Sequence, residues 1–227
     1  MLFWLGLIAL VGTRPLSAQG VAVDQGQFAV TVKGVAVGTE DFVIRRAGLG
    51  SGDAVFANAT VALVVGGAAQ DMRMILRAIP PAGSADSYQI DVTGVGAAEI
   101  GLEKAARRFV ATVRSPAGEE DREFPARPDT RVVELDVAHH YYFLRDLLPD
   151  REVHVLEPRS RRQITLTASE RTEESITLGR NIVSARRITF SSDGSDDRTV
   201  WFDRQGRVLK VEVPSRAYAA ERTDLVG

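Results

Sequence analysis

Apolar and polar residues alternate along most of the chain after residue 27. The segment FAVTVK is the first clear example, with Phe28, Val30 and Val32 separated by small or polar residues. Gly34 and Gly38 then interrupt the pattern before a second apolar run begins. A period of two indicates a strand with one buried face, and the glycines indicate a turn. The pattern therefore predicts a β-hairpin at the start of the folded chain.

Similar runs follow to the end of the sequence and are separated by short turns such as Gly66-Gly67 and Pro80-Pro81. Short turns favour antiparallel meanders, because parallel strands need long crossover connections. The run near Met72 is apolar at both odd and even positions, which predicts either cover on both faces or one face that lines an apolar cavity. The predicted strands are 54–65, 71–79, 87–93, 97–104, 107–114, 121–124, 131–135, 152–157, 163–169, 174–178, 182–191, 198–202, 207–213 and 219–223.

These strands predict a mainly β protein with one large curved antiparallel sheet, forming an open or half β-barrel. Residues 19–227 form a single predicted domain, since the sequence has neither a clear linker nor a repeat of fixed period. The alternative is two packed β subdomains divided near residues 125–130, where the sequence reads PARPDT.

One segment has a helical pattern, and it predicts a covering α-helix near residues 137–148. Asp136 is a suitable N-cap, and Pro149 disfavours helical geometry at the residue before it. At about 100° per residue, one broad arc holds most of the apolar side chains. The arc consists of Val137, His140, Tyr141, Phe143, Leu144, Leu147 and Leu148, with His139, Tyr142, Arg145 and Asp146 outside it.

A broad apolar arc predicts a helix that covers the concave face of the sheet. Incomplete packing beneath it would leave a pocket for an apolar ligand. The candidate wall of that pocket consists of His140, Tyr141, Phe143, Leu144 and Leu147, together with Trp201.

The adjacent histidines suggest metal or catalytic chemistry at first sight. Consecutive helical residues point about 100° apart, so two such side chains do not easily share one metal ion. We expect His140 to be buried and neutral, with Asp136 as a partner, and His139 to be solvated. One alternative stays open, a three-ligand site of His154, Glu134 and a helix histidine.

No other segment predicts a catalytic residue, a metal site or a cofactor site. GLGSG at 48–52, GVGAAE at 94–99 and DGSDD at 193–197 each lack the flanking residues of a nucleotide or calcium site. The chain has no cysteine, which removes thiol nucleophiles and thiolate metal sites. The RSRR segment at 159–162 is expected to be a solvated turn, with contact to an acidic partner or a lipid head group as the alternative.

The N-terminus and the charge balance bear on location and partners. Residues 1–18 combine an apolar run with the ending Leu-Ser-Ala, which predicts a signal peptide cleaved after Ala18 and a periplasmic or secreted protein. The alternative is an N-terminal anchor that is not cleaved. No membrane span is expected after cleavage. The formal net charge of −2 is not that of a nucleic-acid-binding protein.

Two segments carry a resemblance to a family. GQFAVTVKGVAVGTEDFVI resembles the first hairpin, and RTVWFDRQGRVLKVEVP the closing hairpin, of uncharacterised exported bacterial domains. In the closing hairpin the recurring positions are Trp201, Asp203, Gly206 and Pro214. These domains are distantly similar to the LolA and LolB lipoprotein carriers, whose half-barrels hold acyl chains under helices. The resemblance implies architecture and an exported location.

The sequence predicts a non-enzymatic binding or carrier module for an apolar, lipid-like ligand. One alternative is a structural or interaction protein of the cell envelope that uses exposed sheet edges or surface arginines. The other is a metal-dependent hydrolase that uses His154 and a helix histidine.

Overall fold

The computed structural model describes residues 20–48, 53–80, 83–192 and 196–225. The predicted signal peptide lies outside the described residues, as do parts of the GLGSG and DGSDD segments. The strands are β1 (Val21–Val32), β2 (Val35–Ala47), β3 (Ala54–Val65), β4 (Ala68–Ile79), β5 (Ser84–Gly94), β6 (Ala98–Ala105), β7 (Arg108–Ser115), β8 (Gly118–Pro125), β9 (Arg131–Val132), β10 (Glu152–Glu157), β11 (Arg162–Ala168), β12 (Thr172–Leu178), β13 (Asn181–Ser191), β14 (Arg198–Phe202), β15 (Val208–Val213) and β16 (Tyr218–Arg222).

The strands form one 16-stranded sheet, in which β1 joins the first half of the chain to the last strand, β16. From β1 the sheet runs through consecutive hairpins to β8, and from β16 it runs back through β15, β14, β13, β11 and β10 to β9. The pairing is antiparallel except between β9 and β10, and β12 pairs only with β13. The sheet is strongly curved but not closed into a barrel, which confirms the predicted fold class.

Alternation buries one face of each long strand in a common core. In β4, Met72, Met74 and Leu76 are at most 3% exposed. On the opposite face of β4, Ile75 is 50% and Ile79 is 37% exposed. Of the two predicted arrangements for this strand, cover on both faces was therefore wrong.

The predicted α-helix is instead a 3₁₀ helix over His139–Leu144. Its six residues include five buried side chains, and Tyr142 packs partly buried against the same core. An amphipathic helix exposes one face, whereas a helix surrounded by protein has no solvated face. Of the residues expected on the solvated side, His139 is buried, whereas Tyr142 and Arg145 are partly exposed and Asp146 is largely exposed, as predicted. Leu148, which was predicted to lie in the buried arc, is 60% exposed because it follows the end of the helix.

The helix also begins differently from the prediction. Asp136 has a backbone φ of +64° and does not cap the helix, whose N-cap is Ala138. The last helical residue is Leu144, several residues before Pro149. No helix in the described part of the chain is long and apolar enough to cross a bilayer.

Candidate functional site

A buried carboxylate from β2 holds the start of the 3₁₀ helix. Glu40 accepts hydrogen bonds from the backbone N–H groups of Ala138 at 2.7 Å and His139 at 2.8 Å. It also lies 2.7 Å from Nδ1 of His139, which donates to the carboxylate. Glu40 and His139 are at most 1% exposed, so the expectation that His139 is solvated was wrong. A carboxylate distant in sequence supplies the cap that Asp136 was expected to supply.

The second helix histidine belongs to a different arrangement. His140 is buried, and its Nδ1 accepts the backbone N–H of Glu134 at 3.0 Å rather than bonding to Asp136. Burial, with smaller contributions from His139 and Arg159, holds the pKa of His140 well below its usual value. The ring is therefore neutral with its proton on Nε2, as expected for a buried imidazole that accepts at Nδ1.

Arg159 reaches inward to the residues just before the helix. Its Nε donates to Glu134 at 2.6 Å, and its Nη2 donates to the carbonyl of Leu135 at 2.5 Å. Burial raises the pKa of Glu134 to about 7, although Arg159 acts in the opposite direction. The solvated turn predicted for RSRR is thus wrong at its first residue, because Arg159 pairs with a buried carboxylate.

The predicted three-ligand metal site is not assembled. Val153 and Val155 bury their side chains in the core, so the alternating His154 lies on the other face of β10, where Nδ1 is 3.2 Å from Oγ1 of Thr165. Glu134 and His140 lie on the core side. Within the described ranges, no group of three or more His, Cys, Asp or Glu side chains is arranged to hold a metal ion.

The structure brings together five of the six predicted pocket-wall residues. His140, Tyr141, Phe143 and Leu144 are buried by the core, and Leu147 packs against it. Phe143 and Leu147 also line a small pocket of about 200 Å³ at the end of the helix, together with polar residues that include Arg131 and Arg145.

Trp201 is not near this group. It belongs to a separate cluster with Leu178, Ala185 and Leu209, and its Nε1 donates to Glu174 of β12. The flanking Val200 and Phe202 enter the main core, so Trp201 lies on the other face of the sheet, beside the β12–β13 hairpin. Whether any of the six residues binds a ligand stays a prediction.

A more apolar cavity lies beside the segment that precedes the helix. We call it the valine pocket; it measures about 260 Å³. The strands β1, β2 and β3 form its apolar wall, and residues near the β15–β16 turn complete it. The lining residues are Val30, Val32, Val37, Leu63, Val64, Val65, Gly66, Asp136, Arg216 and Tyr218.

Two of the residues that line the valine pocket each carry a buried hydrogen-bond donor without a partner in the described chain. Oη of Tyr218 and Nη1 of Arg216 are both buried and make no hydrogen bond in the described chain. The other terminal nitrogen of Arg216, Nη2, pairs with Asp136 at 2.9 Å. Burial, followed by Glu40 and Asp136, raises the pKa of Tyr218 well above its ordinary value, so its phenol stays protonated.

Sequence reasoning missed both of these residues. Tyr218 alternates with Ala220 and Arg222, all of which are buried, so its burial could have been inferred from a period of two. Arg216 has no such signal, because it lies in a short 3₁₀ turn over Pro214–Arg216. Only the tertiary structure places that turn beside the wall formed by β1–β3.

A larger groove of about 880 Å³ lies between β8 and β11 and is mostly polar. Contacts across it include Arg161 with Glu120 at 2.6 Å, and the Gln163 side chain with the Pro125 carbonyl at 2.9 Å. The edge strand β8 is almost entirely exposed. Charged side chains on such an edge are a common protection against pairing with another sheet.

Comparison with known proteins gives likeness at the level of fold. No protein-family model and no curated protein matches the sequence. Among solved structures, a β-barrel-like protein of the domain of unknown function DUF1849 from Brucella abortus is similar, with a TM-score of 0.54 and 10% identity over 88% of this chain and 94% of that one. A DUF1089 family protein from Pseudomonas aeruginosa has a TM-score of 0.46 and 12% identity, over 78% of this chain and 90% of that one. The first likeness shows the β-barrel-like architecture, and at these identities it shows nothing beyond the fold.

Proposed function

We propose that this protein is a non-enzymatic binding or carrier module for an apolar ligand, and that the ligand occupies the valine pocket. The observation that carries the proposal is a cavity of about 260 Å³ walled by six valine and leucine side chains. Water gains little in such a cavity, whereas an apolar chain there removes its surface from solvent.

The arrangement of titratable groups supports binding rather than catalysis. Glu40, Glu134, His139 and His140 are the buried candidates for acid–base chemistry near the helix. They hold one another and the backbone in place, and none of them lines the valine pocket. A catalytic acid or base must reach its substrate directly or through one water molecule.

The proposal includes export. The apolar run and small-residue ending of residues 1–18 support a periplasmic or secreted location. The resemblance to lipoprotein carriers supports a lipid-like ligand. Protein purified without detergent from a bacterial periplasm is expected to release a lipid or fatty acid on solvent extraction, detected by mass spectrometry against a mock purification.

Binding can be tested with N-phenyl-1-naphthylamine, a neutral probe that fluoresces in apolar sites. The wild type is expected to bind it in a saturable way. Val37→Phe places a larger ring in the pocket, where Val37 is half-buried, and is expected to weaken binding by about tenfold or more. Ile182→Phe is the matched control, because Ile182 is 77% exposed and lies outside the pocket.

Both variants should keep the cooperative thermal transition of the wild type, which separates pocket filling from misfolding. Absence of saturable binding by the wild type, or equal binding by all three proteins, would contradict the proposal.

A further inference from the structure

We infer that the valine pocket opens at a surface that docks onto an anionic lipid bilayer, from which the pocket takes up or releases its apolar ligand. We call this surface the valine rim. It consists of Val35, Val64, Val65 and Val95, which lie at strand ends or in turns of the first half of the sheet. The inference rests on the proposed function and adds the partner with which the pocket exchanges its ligand.

The valine rim is exposed although its side chains are apolar. Val35 is 64% exposed, Val64 53%, Val65 45% and Val95 39%. Turns at a protein surface are normally polar. A contiguous apolar patch on the surface generally marks a contact with a membrane or with another protein.

Strand pairing makes these valines neighbours. Consecutive antiparallel hairpins place every second turn at the same end of the sheet, so the β1–β2, β3–β4 and β5–β6 turns lie together. Val64 pairs with Ala69 of β4, and the carbonyl of Ala69 accepts the N–H of Val95 at 3.1 Å. The antiparallel pairing of β2 with β3 places Val35, at the start of β2, at the same end as the last residues of β3. The rim therefore runs across the adjacent strands β2 to β5.

The rim is continuous with the valine pocket. Val64, Val65 and Gly66 line the pocket, and all three residues are exposed. The wall of the pocket thus continues onto the outer surface at the β3–β4 turn. An apolar ligand that left by this route into water would lose the free energy of its burial, whereas a bilayer in contact with the rim keeps the ligand in apolar surroundings.

Charge distinguishes this end of the sheet from the other. The three turn segments read VKGVA at 32–36, VVGGAA at 64–69 and TGVGAA at 93–98, with Lys33 as their one charged residue. At the opposite end, the β6–β7 segment at 103–108 reads EKAARR. Proteins that bind a membrane surface combine buried apolar area with the attraction of basic residues to anionic lipids. The exposed Lys33 supplies that attraction here.

The composition of the rim favours lipid over a protein partner. Protein interfaces draw most of their binding energy from Trp, Tyr and Arg, and the three turn segments contain none of these residues. On the other side of the pocket, Asp136 and Arg216 pair at 2.9 Å and add no net charge. The acidic β13–β14 connection, with Asp196 and Asp197, lies in the other half of the sheet, separated from Lys33 by the β15–β16 turn.

Vesicle flotation of the protein, purified without detergent, tests the inference. The vesicles contain either phosphatidylcholine alone or phosphatidylcholine and phosphatidylglycerol in equal parts. The wild type is expected to float with the mixed vesicles. It should bind phosphatidylcholine vesicles about fivefold more weakly, the effect expected of one lysine near an anionic surface.

A double variant, Val35→Asp with Val95→Asp, separates the rim from the pocket, because neither valine lines the pocket. It is expected to lower binding to the mixed vesicles by about tenfold or more. Ile75→Asp with Ile182→Asp is the matched control, since these residues are 50% and 77% exposed and lie outside the rim. The control should bind vesicles like the wild type, and both double variants should keep its cooperative thermal transition.

Lys33→Gln tests the electrostatic part without changing an apolar side chain. It should remove most of the preference for the mixed vesicles over phosphatidylcholine alone. Lys104→Gln is its control, because Lys104 is also exposed but lies at the opposite end of the sheet. This control should keep the wild-type preference.

The outcomes distinguish docking from ligand binding. Binding of N-phenyl-1-naphthylamine without vesicles reports on the pocket alone, and Val35→Asp with Val95→Asp should retain it. The docking inference is overturned, while the pocket stands, if the wild type binds no vesicles, if the two double variants bind them equally, or if Lys33→Gln keeps the wild-type preference. Vesicle binding by a wild type that does not bind the probe would overturn the proposed function and, with it, ligand exchange at the rim.

Discussion

The carboxylate of Glu40, in β2, accepts the backbone N–H of His139 at 2.8 Å and the Nδ1–H of the same residue at 2.7 Å. Both residues are at most 1% exposed. The contact joins the first hairpin of the sheet to a helix about a hundred positions later in the chain. It compensates for two features that would otherwise be unfavourable, a buried carboxylate and a helix start without a local cap.

Replacing Glu40 should therefore destabilise the fold. Glu40→Gln keeps one oxygen acceptor but places an amide N–H₂ among donor groups, so the free energy of unfolding should fall by about 2–3 kcal/mol. Glu40→Ala should cost more, because it leaves every donor unsatisfied. Urea denaturation measures both values. Asp41→Asn is the control, since Asp41 is exposed and its carboxylate accepts from Nε2 of Gln27 at 2.9 Å. A Glu40→Gln protein as stable as this control would contradict the assignment.

The burial of Glu134 predicts a specific pH dependence of stability. Its pKa is raised to about 7, from 4.5 for an exposed glutamate, mainly because burial disfavours the charged form. The folded state therefore holds this proton more tightly than the unfolded state, and the contribution to stability is full below about pH 4.5 and is lost as the pH rises through about 7. The expected loss is about 3 kcal/mol for this group alone.

Glu134→Gln removes the titrating carboxyl group. The amide oxygen of the glutamine can still accept a hydrogen bond from Arg159. Between pH 4.5 and 7, the wild type should lose unfolding free energy relative to the variant as the pH rises. Chemical denaturation at several pH values measures this difference. Parallel curves for the two proteins would contradict the raised pKa.

His140 predicts the opposite slope at acid pH. Its pKa is depressed by burial and by the neighbouring His139 and Arg159, so the folded state resists protonation. The unfolded imidazole takes up a proton near pH 6.5, and the protein therefore loses stability as the pH falls below that value, by about 1.4 kcal/mol per unit.

His140→Asn tests this directly, since the asparagine oxygen can accept the N–H of Glu134 at the position of Nδ1. The variant should be less stable at neutral pH, because a cavity remains, but it should lose stability less steeply between pH 6.5 and 5 than the wild type. The contribution of Glu134 is present in both proteins and cancels in the comparison. Equal acid slopes would exclude a depressed pKa for His140.

The strands were predictable from the sequence because burial in a sheet follows a local period of two. Positions such as Phe28 and Val30 need no knowledge of their partners to be placed on the inner face. For the helix, the sequence indicated its approximate position in the chain but not its type or its ends. His139 is buried against Glu40, a residue about a hundred positions earlier in the chain, and a local pattern does not reveal that contact.

The valine pocket depends still more on tertiary contacts. Its apolar wall comes from the first three strands, and its polar side comes from Arg216 and Tyr218, which the pairing of β1 with β16 brings alongside. The burial of Arg159 could not be predicted either, since a run of arginines in a turn is normally solvated. Arg159 points inward because it pairs with the buried carboxylate of Glu134. Trp201 had a strand pattern that fitted either face of the sheet.

A close approach of two strands explains the glycine that precedes Glu40. Gly38 lies opposite Leu63, and a Cβ at position 38 would come within 1.8 Å of the carbonyl oxygen of Ala62. That atom belongs to the backbone of β3, so the clash can be relieved only by moving a strand. Gly38→Ala should lower the free energy of unfolding by about 3 kcal/mol.

Gly101→Ala is the matched control, because Gly101 also lies in a strand but has open space where its Cβ would be. It should be neutral or stabilising by about 0.5 kcal/mol, since alanine restricts the unfolded chain. Because Gly38 is two residues from Glu40, displacement of β2 in Gly38→Ala should also weaken the bond to His139. Hydrogen exchange at the amides of Ala138 and His139 should then be faster than in Gly101→Ala, and equal protection in the two variants would mean that β2 accommodates the methyl group without moving Glu40.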